Sequence, residues 1–183
     1  MIYNEILKGN LITLRSITLS DCNDTYASWL NDKAVNIYLE TRFDVHTVES
    51  ISRFVEEILA SKSSYMFAII ANDTSKHIGN IKLGPIHPRY MFGDVGYLIG
   101  EKSYWGKGIA TEAIMLIVDF AFNKLSLRRL QAGVFEDNIA SERALVKAGF
   151  TLEGRFVKQV SVSPPETDWQ DHLFYGISKK EDI

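Results

Sequence analysis

Ten consecutive residues in the middle of the chain combine two glycines with small side chains, a pattern that suits phosphate binding. They read Tyr104-Trp105-Gly106-Lys107-Gly108-Ile109-Ala110-Thr111-Glu112-Ala113. An apolar segment that ends in Gly100 precedes them, and apolar residues at helical spacing follow them. Gly106, Gly108 and Ala110 are therefore predicted to lie where a helix begins, and the unpaired N–H groups and positive dipole end found there can hold a diphosphate. Lys107 would add Coulomb attraction.

The glycine spacing differs from that of two familiar phosphate loops. A P-loop ends in Gly-Lys-Ser/Thr, whereas Lys107 is followed by Gly108. A dinucleotide-binding fingerprint ends in a third glycine, and Thr111 occupies that place. Taken alone, the loop can also be a tight strand-to-helix turn that binds nothing.

A second polar segment follows about twenty residues later. The residues from 130 to 135 are typical of a strand, and those from 138 to 148 are typical of a short helix with Gly149 as its left-handed stop. Asn138 and Ser141 lie in the first turn of that helix. The simplest role for Asn138 is a helix N-cap, which is compatible with binding a ligand as well.

Together the two segments resemble the GNAT superfamily of N-acetyltransferases. Its acyl-CoA loop has the form Gln/Arg-x-x-Gly-x-Gly/Ala, and Gly108 and Ala110 match the last two fixed positions. Trp105 stands in place of the Gln or Arg, although the whole loop looks like that of the RimJ/RimL-like branch, which acetylates ribosomal-protein N-termini. Asn138 and Ser141 match the family's second motif, Asn-x-x-Ser before a helix that closes in Gly-Phe.

This resemblance implies that acetyl-CoA is a co-substrate and that its acetyl group passes directly to an amine. In the family, the asparagine of the second motif binds the pantetheine arm. Because the family's catalytic tyrosine position holds Leu145, the resemblance makes Ser141 the candidate that protonates or orients the departing sulfur. Backbone N–H groups at the end of one strand would stabilise the oxyanion. The implied cofactor-binding residues are Leu98, Ile99, Trp105, Gly106, Lys107, Gly108, Ile109, Ala110, Thr111, Asn138 and Ser141.

A general base is needed because an alkylammonium group, with a pKa near 10, offers little free amine at pH 7. Asp94 and Glu101 fall at the ends of the strand beside the expected thioester and are the preferred carboxylates. Glu136 is a third candidate at a strand end, and Glu40 and Asp168 lie on loops that can border the acceptor. Each of these side chains is equally compatible with an ordinary surface role.

The acceptor amine stays open at this point. Residues 29–32, expected to be loop-like, and residues 38–43 lie where the family lines its acceptor cleft, and they also look like those of enzymes that act on amino-sugar nucleotides. A protein N-terminus, an amino sugar and a polyamine are all compatible with the sequence. Two other classes are a CoA-binding module without turnover and a nucleotide-binding regulatory domain.

Length and composition predict one cytoplasmic domain over residues 1–183, which the resemblance implies is an N-acetyltransferase domain. The net charge of −3 argues against a nucleic-acid surface, and no apolar run is long enough to span a membrane. The single cysteine, Cys22, excludes an internal disulfide, and its expected place at a helix start would lower its pKa somewhat. The four histidines show no metal-ligand spacing. An apolar edge strand near the C-terminus would permit a homodimer.

Hydrophobic periodicity predicts an α/β (α+β) fold in the order β-α-α-β-β-β-α-β-α-β-β. The resemblance implies a mixed, mostly antiparallel central sheet flanked by helices, the fold of acyl-CoA acyltransferases. Predicted helices open at Ser20 and cover Thr47 to Ser61. Predicted strands include Tyr65 to Ala71, Ile78 to Leu83, Leu152 to Val160 and Gln170 to Ile177, the last two flanking a loop over residues 163–166.

Overall fold

A computed structural model describes residues 1–163 and 168–180. Most of the predicted loop over residues 163–166 lies outside these ranges. The structure forms an eight-stranded sheet with helices on its faces. The strands are β1 (Leu7–Lys8), β2 (Ile12–Ser16), β3 (Tyr65–Ala71), β4 (His77–His87), β5 (Phe92–Ile99), β6 (Arg129–Phe135), β7 (Thr151–Ser161) and β8 (Trp169–Ser178).

The described residues contain five α-helices, which are α1 (Asp24–Asn31), α2 (Lys33–Asn36), α3 (Val48–Ala60), α4 (Ile109–Asp119) and α5 (Ile139–Lys147). Short 3₁₀ turns cover Leu19–Asp21 and Lys102–Tyr104, and a π-helical segment, Phe120–Lys124, extends α4. The helix predicted to open at Ser20 is therefore a 3₁₀ turn followed by α1, for which Asn23 is the N-cap. The predicted Thr47 to Ser61 helix is α3 with its two caps.

The strand order is β1-β2-β3-β4-β5-β6-β8-β7. Every neighbouring pair in the described sheet is antiparallel except β5 with β6, which is parallel. The predicted mixed, mostly antiparallel sheet is confirmed. Sequence periodicity missed β1 and α2, because two-residue and four-residue elements span only about one period of the pattern, which is too short for a repeat to be seen.

The parallel strands β5 and β6 pair over only part of their length. Their register runs from Phe92 opposite Arg129 to Asp94 opposite Gln131, and no further pairs follow. Yet β5 continues to Ile99 and β6 to Phe135. The two strands therefore diverge toward their C-terminal ends and leave a gap in the middle of the sheet.

Two apolar clusters cover opposite faces of the sheet. The larger one joins alternate residues of β5 and β6, such as Val95 and Val134, to apolar residues of α4 and α5. The smaller one joins α1 and α3 to Met66 of β3, with Leu98 of β5 packed against it. We call these the α4 face and the α1/α3 face. Because side chains alternate along a strand, Tyr97 points to the α4 face and Leu98 to the α1/α3 face.

The expected lowering of the Cys22 pKa is wrong. Cys22 precedes the N-cap of α1 instead of lying in its first turn, and it is buried in the smaller apolar cluster. Burial disfavours the thiolate and raises the pKa of Cys22. Within residues 1–163 and 168–180, no helix is long and apolar enough to cross a membrane.

Candidate active site

A cavity of about 1370 Å³ occupies the gap between β5 and β6 and reaches both faces of the sheet. Its walls come from the C-terminal halves of both strands, from the glycine loop before α4, from the first turns of α5, and from α1, α3 and the loop between α2 and α3. A cavity of this size is large enough for a cofactor together with a small acceptor. The cavity is therefore continuous through the gap from one face of the sheet to the other, and we call it the chamber.

The predicted phosphate loop lies along this chamber. Gly106 and Gly108 have φ angles of 72° and 83°, which are costly for residues with a Cβ atom. Gly108 is the N-cap of α4 and contributes no side-chain capping bond. The backbone N–H groups of Ile109, Ala110 and Thr111 donate to no described residue. Because these groups line the cavity, the start of α4 presents free donors to it.

Lys107 turns away from the chamber. Its ammonium lies 5.4 Å from the centre of the Tyr104 ring, and the residue does not belong to the cavity wall. Trp105, which replaces the Gln or Arg of the resembled loop, donates its indole N–H to the carbonyl oxygen of Ile99 at 2.8 Å. This bond fastens the glycine loop to the end of β5, so Trp105 contributes to the shape of the loop.

Glu112 holds the start of α4 in place, a role that sequence reasoning missed. Its carboxylate accepts hydrogen bonds from the backbone N–H groups of Asn10, Leu11 and Ile12 at 2.8 to 3.0 Å. A Cβ atom on Gly9 would lie 2.7 Å from the carboxylate carbon, so the close approach needs glycine there. The turn between β1 and β2 is thereby fixed to the first turn of α4.

Ser141 and Tyr97 meet on the α4 face of the gap. Their hydroxyl oxygens lie 2.7 Å apart, and the Tyr97 hydroxyl also donates to the Ser141 carbonyl at 3.2 Å. Burial raises the pKa of Tyr97 to about 12, so its hydroxyl stays protonated at neutral pH. Asn138 caps α5 by accepting from the Ser141 N–H at 3.2 Å. Sequence reasoning identified Ser141 and Asn138 and missed Tyr97, because the pairing across the gap is a tertiary contact.

Of the two backbone N–H groups at the end of β5 that were predicted to stabilise an oxyanion, those of Leu98 and Ile99, one faces the gap. Asn80 lies opposite Leu98, and the Gly100 N–H donates to the Ile78 carbonyl of β4. Since N–H groups alternate sides along a strand, the Leu98 N–H faces β4 and the Ile99 N–H faces the gap. The structure therefore brings the backbone of Ile99 to the gap, while Leu98 contributes its side chain to the chamber.

The two preferred base candidates lie outside the chamber wall. Asp94 accepts a hydrogen bond from the Gln131 amide at 2.7 Å, and Glu101 accepts from the backbone and hydroxyl of Ser103. Of the other carboxylates considered, Glu136 pairs with Arg155. Glu40 alone among the five candidate carboxylates lines the cavity, a statement that covers the described residues.

Part of the segment expected to line an acceptor cleft belongs to the chamber wall. Residues 38–41 line the cavity, as expected. Residues 29–31, expected to be loop-like, belong to α1, and Trp29 packs against the His77 ring in the interior. Arg42 donates to the carbonyl oxygens of Leu39 and Ser161 and is absent from the wall.

Asn80 belongs to the chamber wall, but its side-chain amide is buried behind the wall surface. Its amide oxygen lies 2.9 Å from Nε2 of His77, which is also 2.9 Å from the Gly79 carbonyl oxygen. A ring nitrogen between two oxygens must carry the proton, and this fixes the orientation of the Asn80 amide. Its Nδ2 group is buried and has no partner in the described structure. Sequence reasoning had not singled out this residue.

His172 lies on the α1/α3 face, where β8 pairs with β6 opposite Phe135. Its Nδ1 is 3.0 Å from Oε1 of Gln159 on β7. A Cβ atom on Gly133 would lie 2.4 Å from its Nε2, so the imidazole extends across the β6 backbone beside the gap. Among the described residues, no group of three or more His, Cys, Asp or Glu side chains is arranged to hold a metal ion.

Comparisons with known proteins agree with this geometry. Residues 12–151 match the family described as the acetyltransferase (GNAT) domain. The protein described as "Probable N-acetyltransferase YjcK" of Bacillus subtilis strain 168 is 32% identical over 183 residues, covering 97% of this chain and 99% of that protein.

Solved structures share the fold at lower identity. An acetyltransferase from Bacillus anthracis aligns with a TM-score of 0.80 at 24% identity, covering 95% of this chain and 98% of that one. Spermidine N-acetyltransferase from Vibrio cholerae, solved with CoA and spermine, gives 0.81 at 19%, covering 93% and 96%. RimL, a ribosomal L7/L12 α-N-protein acetyltransferase solved with CoA, gives 0.81 at 22%, covering 95% and 98%.

Proposed function

This chain belongs to the GNAT family of N-acetyltransferases, and we propose that it transfers the acetyl group of acetyl-CoA directly to the primary amine of a protein N-terminus or a small molecule. Enzymes of this family use acetyl-CoA. The observation that carries the proposal is the set of free N–H groups at Ile109, Ala110 and Thr111, which open on a chamber between two diverging strands. These donors suit a diphosphate, and the gap beside them suits a thioester.

Each part of the cofactor has a matching part of the chamber. The diphosphate would lie against the loop from Trp105 to Thr111, where the positive φ angles of two glycines turn the backbone toward it. The pantetheine arm would follow β5 past Asn138. The thioester carbonyl would meet the Ile99 N–H, and its sulfur would lie near Ser141. In this arrangement Lys107 contributes long-range charge and no direct contact, because its side chain turns toward Tyr104.

The proposed reaction proceeds without a covalent enzyme intermediate. The amine nitrogen attacks the thioester carbon, the carbonyl oxygen becomes an oxyanion, and the carbon–sulfur bond then breaks. A preorganised N–H such as that of Ile99 stabilises the oxyanion by about 3 kcal/mol in comparable sites. The hydroxyl of Ser141, hydrogen-bonded to Tyr97, can give its proton to the thiolate and receive another from Tyr97.

The first candidate acceptor is the α-amino group of a protein. This choice is in keeping with RimL, the ribosomal L7/L12 α-N-protein acetyltransferase that shares this fold. An amino-sugar nucleotide is the alternative acceptor.

Two measurements test the proposal. The first is thermal melting with acetyl-CoA, CoA, ATP or NAD, since a bound ligand raises the melting temperature by mass action. The second is thiol release from acetyl-CoA with short peptides, amino-sugar nucleotides and spermidine. Stabilisation by the CoA species alone, with thiol release on a peptide or an amino sugar, is expected. Stabilisation by ATP or NAD instead would point to a nucleotide-binding domain, and CoA binding without transfer would point to a module without turnover.

A further inference from the structure

We propose that His172 is the general base of this acetyl transfer, accepting a proton from the acceptor ammonium at its Nε2 atom. The inference rests on the proposed function and assigns the step for which the carboxylates preferred from the sequence are not positioned. Asp94 and Glu101 do not line the chamber, whereas His172 does.

The tautomer of His172 leaves Nε2 free to accept. The Nδ1 atom faces the side-chain oxygen of Gln159 at 3.0 Å, which places the proton of a neutral ring on Nδ1. No described residue forms a hydrogen bond with Nε2. The lone pair on Nε2 is therefore available to a group in the chamber.

The Nε2 atom of His172 can occupy its position because Gly133 has no side chain. Gly133 lies on β6 at the edge of the gap, and an added Cβ atom would be 2.4 Å from Nε2. The imidazole thus occupies the space directly over the β6 backbone. Both Gly133 and His172 belong to the chamber wall on the α1/α3 face, which is opposite the face that holds Ser141. The proposed base, His172, therefore lies on the face from which the amine would approach. The proposed proton donor, Ser141, lies on the face where the thiolate would leave.

The charged surroundings of His172 are consistent with a neutral ring. Burial lowers the pKa of His172, and the negative charge of Glu40 opposes that effect without cancelling it. The Phe135 ring packs beside the imidazole of His172. The guanidinium of Arg42 lies 5.2 Å from the centre of that Phe135 ring. On the same strand, the carboxylate of Asp171 is paired with Arg155 of β7. A base that is neutral at pH 7 can accept a proton at once.

The protons and electrons balance in the following way. The ammonium gives one proton to Nε2 of His172, and the freed nitrogen pair attacks the thioester carbon. As the tetrahedral intermediate collapses, the carbon–sulfur pair leaves on sulfur and the nitrogen loses its second proton. One proton reaches the thiolate through Ser141, and the other is released to solvent. The products are an N-acetyl amide, CoA with a free thiol, and one proton.

His46 also lines the chamber, but it is less well placed than His172 to act as the base. His46 bonds through Nε2 to the Thr41 carbonyl and precedes α3, away from the diverging strands. His87 does not line the chamber and stacks on Tyr90 at the surface. It provides a matched control for the removal of an imidazole.

The test measures kcat/KM for the amine from pH 5.5 to 9 in the wild-type chain, His172→Gln, Gly133→Ala and His87→Gln. We expect the wild type to lose activity as the pH falls through an apparent pKa below the ordinary value of 6.5 for histidine. His172→Gln should lower kcat/KM about 100-fold or more at pH 7 and abolish this acidic limb. Gly133→Ala retains the imidazole but displaces it, and should reproduce the loss. His87→Gln should behave like the wild type.

Stabilisation by acetyl-CoA separates this inference from the proposed function. If His172→Gln is still stabilised by acetyl-CoA but has lost transfer, both ideas stand. If His172→Gln keeps transfer within threefold of the wild type and retains the acidic limb, His172 is not the base and the proposed function is unaffected. If the wild type transfers acetyl to none of the amines, the proposed function fails first.

Discussion

The hydroxyl oxygens of Tyr97 on β5 and Ser141 on α5 lie 2.7 Å apart on the α4 face of the sheet. Tyr97 arrives from the strand that ends at the glycine loop, and Ser141 from the helix that Asn138 caps. A serine hydroxyl is a poor acid on its own. A tyrosine that supplies its proton makes the pair a better donor to a departing thiolate than either residue alone.

This pair predicts non-additive effects on turnover. Ser141→Ala should lower kcat about 100-fold and Tyr97→Phe about 10-fold, because the first removes the direct donor and the second removes its supply. The double variant should be no slower than Ser141→Ala, since the two residues act in one chain. Because the pKa of Tyr97 is about 12, Tyr97 should add no limb to the kcat–pH profile below pH 10.

Steady-state kinetics with acetyl-CoA and a peptide amine give kcat for the two single variants and the double variant. Tyr90→Phe is the control, since its ring is exposed and stacks only on His87 among the described contacts. A double variant whose loss equals the product of the single losses would contradict a shared proton path.

Gly108→Ala should weaken both acetyl-CoA binding and the fold. A left-handed conformation costs about 1 to 2 kcal/mol for a residue with a Cβ atom, so the melting temperature should fall by about 4 °C. The first N–H groups of α4 should turn away from the diphosphate, and the dissociation constant for acetyl-CoA should rise about 10-fold. Calorimetric titration measures the affinity.

The matched control for this substitution is Gly154→Ala in β7. Gly154 does not adopt a left-handed φ, and an added Cβ would meet only Phe174 at an ordinary 3.8 Å. Unchanged affinity in Gly108→Ala would mean that the loop is only a turn.

Glu112→Ala should destabilise the fold, because the half-buried side chain of Glu112 accepts hydrogen bonds that nothing else replaces. The substitution removes the acceptor of three backbone N–H groups in the turn before β2. We expect a loss of about 2 kcal/mol and a fall in melting temperature of about 4 to 8 °C. Urea unfolding gives the free energy directly. Glu57→Ala on the exposed face of α3 should change stability by less than about 0.5 kcal/mol, and an equal loss in both variants would rule out the anchoring role.

Asp21 should make the stability of the fold depend on acid pH. Burial by itself would raise the pKa of Asp21, but hydrogen bonds from Arg15 and Thr18 outweigh it and lower the pKa. A group whose folded pKa is depressed adds stability that is complete above its unfolded pKa and is lost as the pH falls through the folded value. The wild type should therefore lose stability below about pH 4 through this group.

Asp21→Asn isolates that contribution. The variant should be less stable than the wild type by about 2 kcal/mol at pH 7, because Arg15 loses its charged partner. The difference should shrink between pH 4 and pH 2. Urea unfolding across this range measures it, and a difference that is constant with pH would show that the Asp21 charge is not involved.

Local patterns predicted most of the fold because the elements are long and regular. The Tyr65–Ala71 strand and the capped α3 helix follow from period-two and period-3.6 apolar residues. The alternation of apolar residues also predicts a first strand over residues 11–17, and β2 occupies Ile12–Ser16. The divergence of β5 and β6 was beyond reach, because strand pairing depends on residues far apart in sequence.

The candidate site also contains residues that local sequence patterns reveal and residues that only the tertiary structure brings together. The glycine loop, Asn138 and Ser141 are consecutive motifs whose residue types are visible in one segment. Tyr97, Asn80 and His172 belong to three different strands, and only their pairing brings them to one chamber. For His172 the nearest sequence signal was Gly133, a glycine inside a strand, which marks a close approach by a neighbour.

The divergence of β5 and β6 has a consequence for reaction order. A chamber with an opening on each face of the sheet lets two reactants be present together and lets each product leave by the side through which its precursor entered. Neither reactant has to depart before the other arrives. Double-reciprocal plots of the initial velocity should therefore intersect instead of running parallel, as they would for an enzyme that stores the acetyl group on itself.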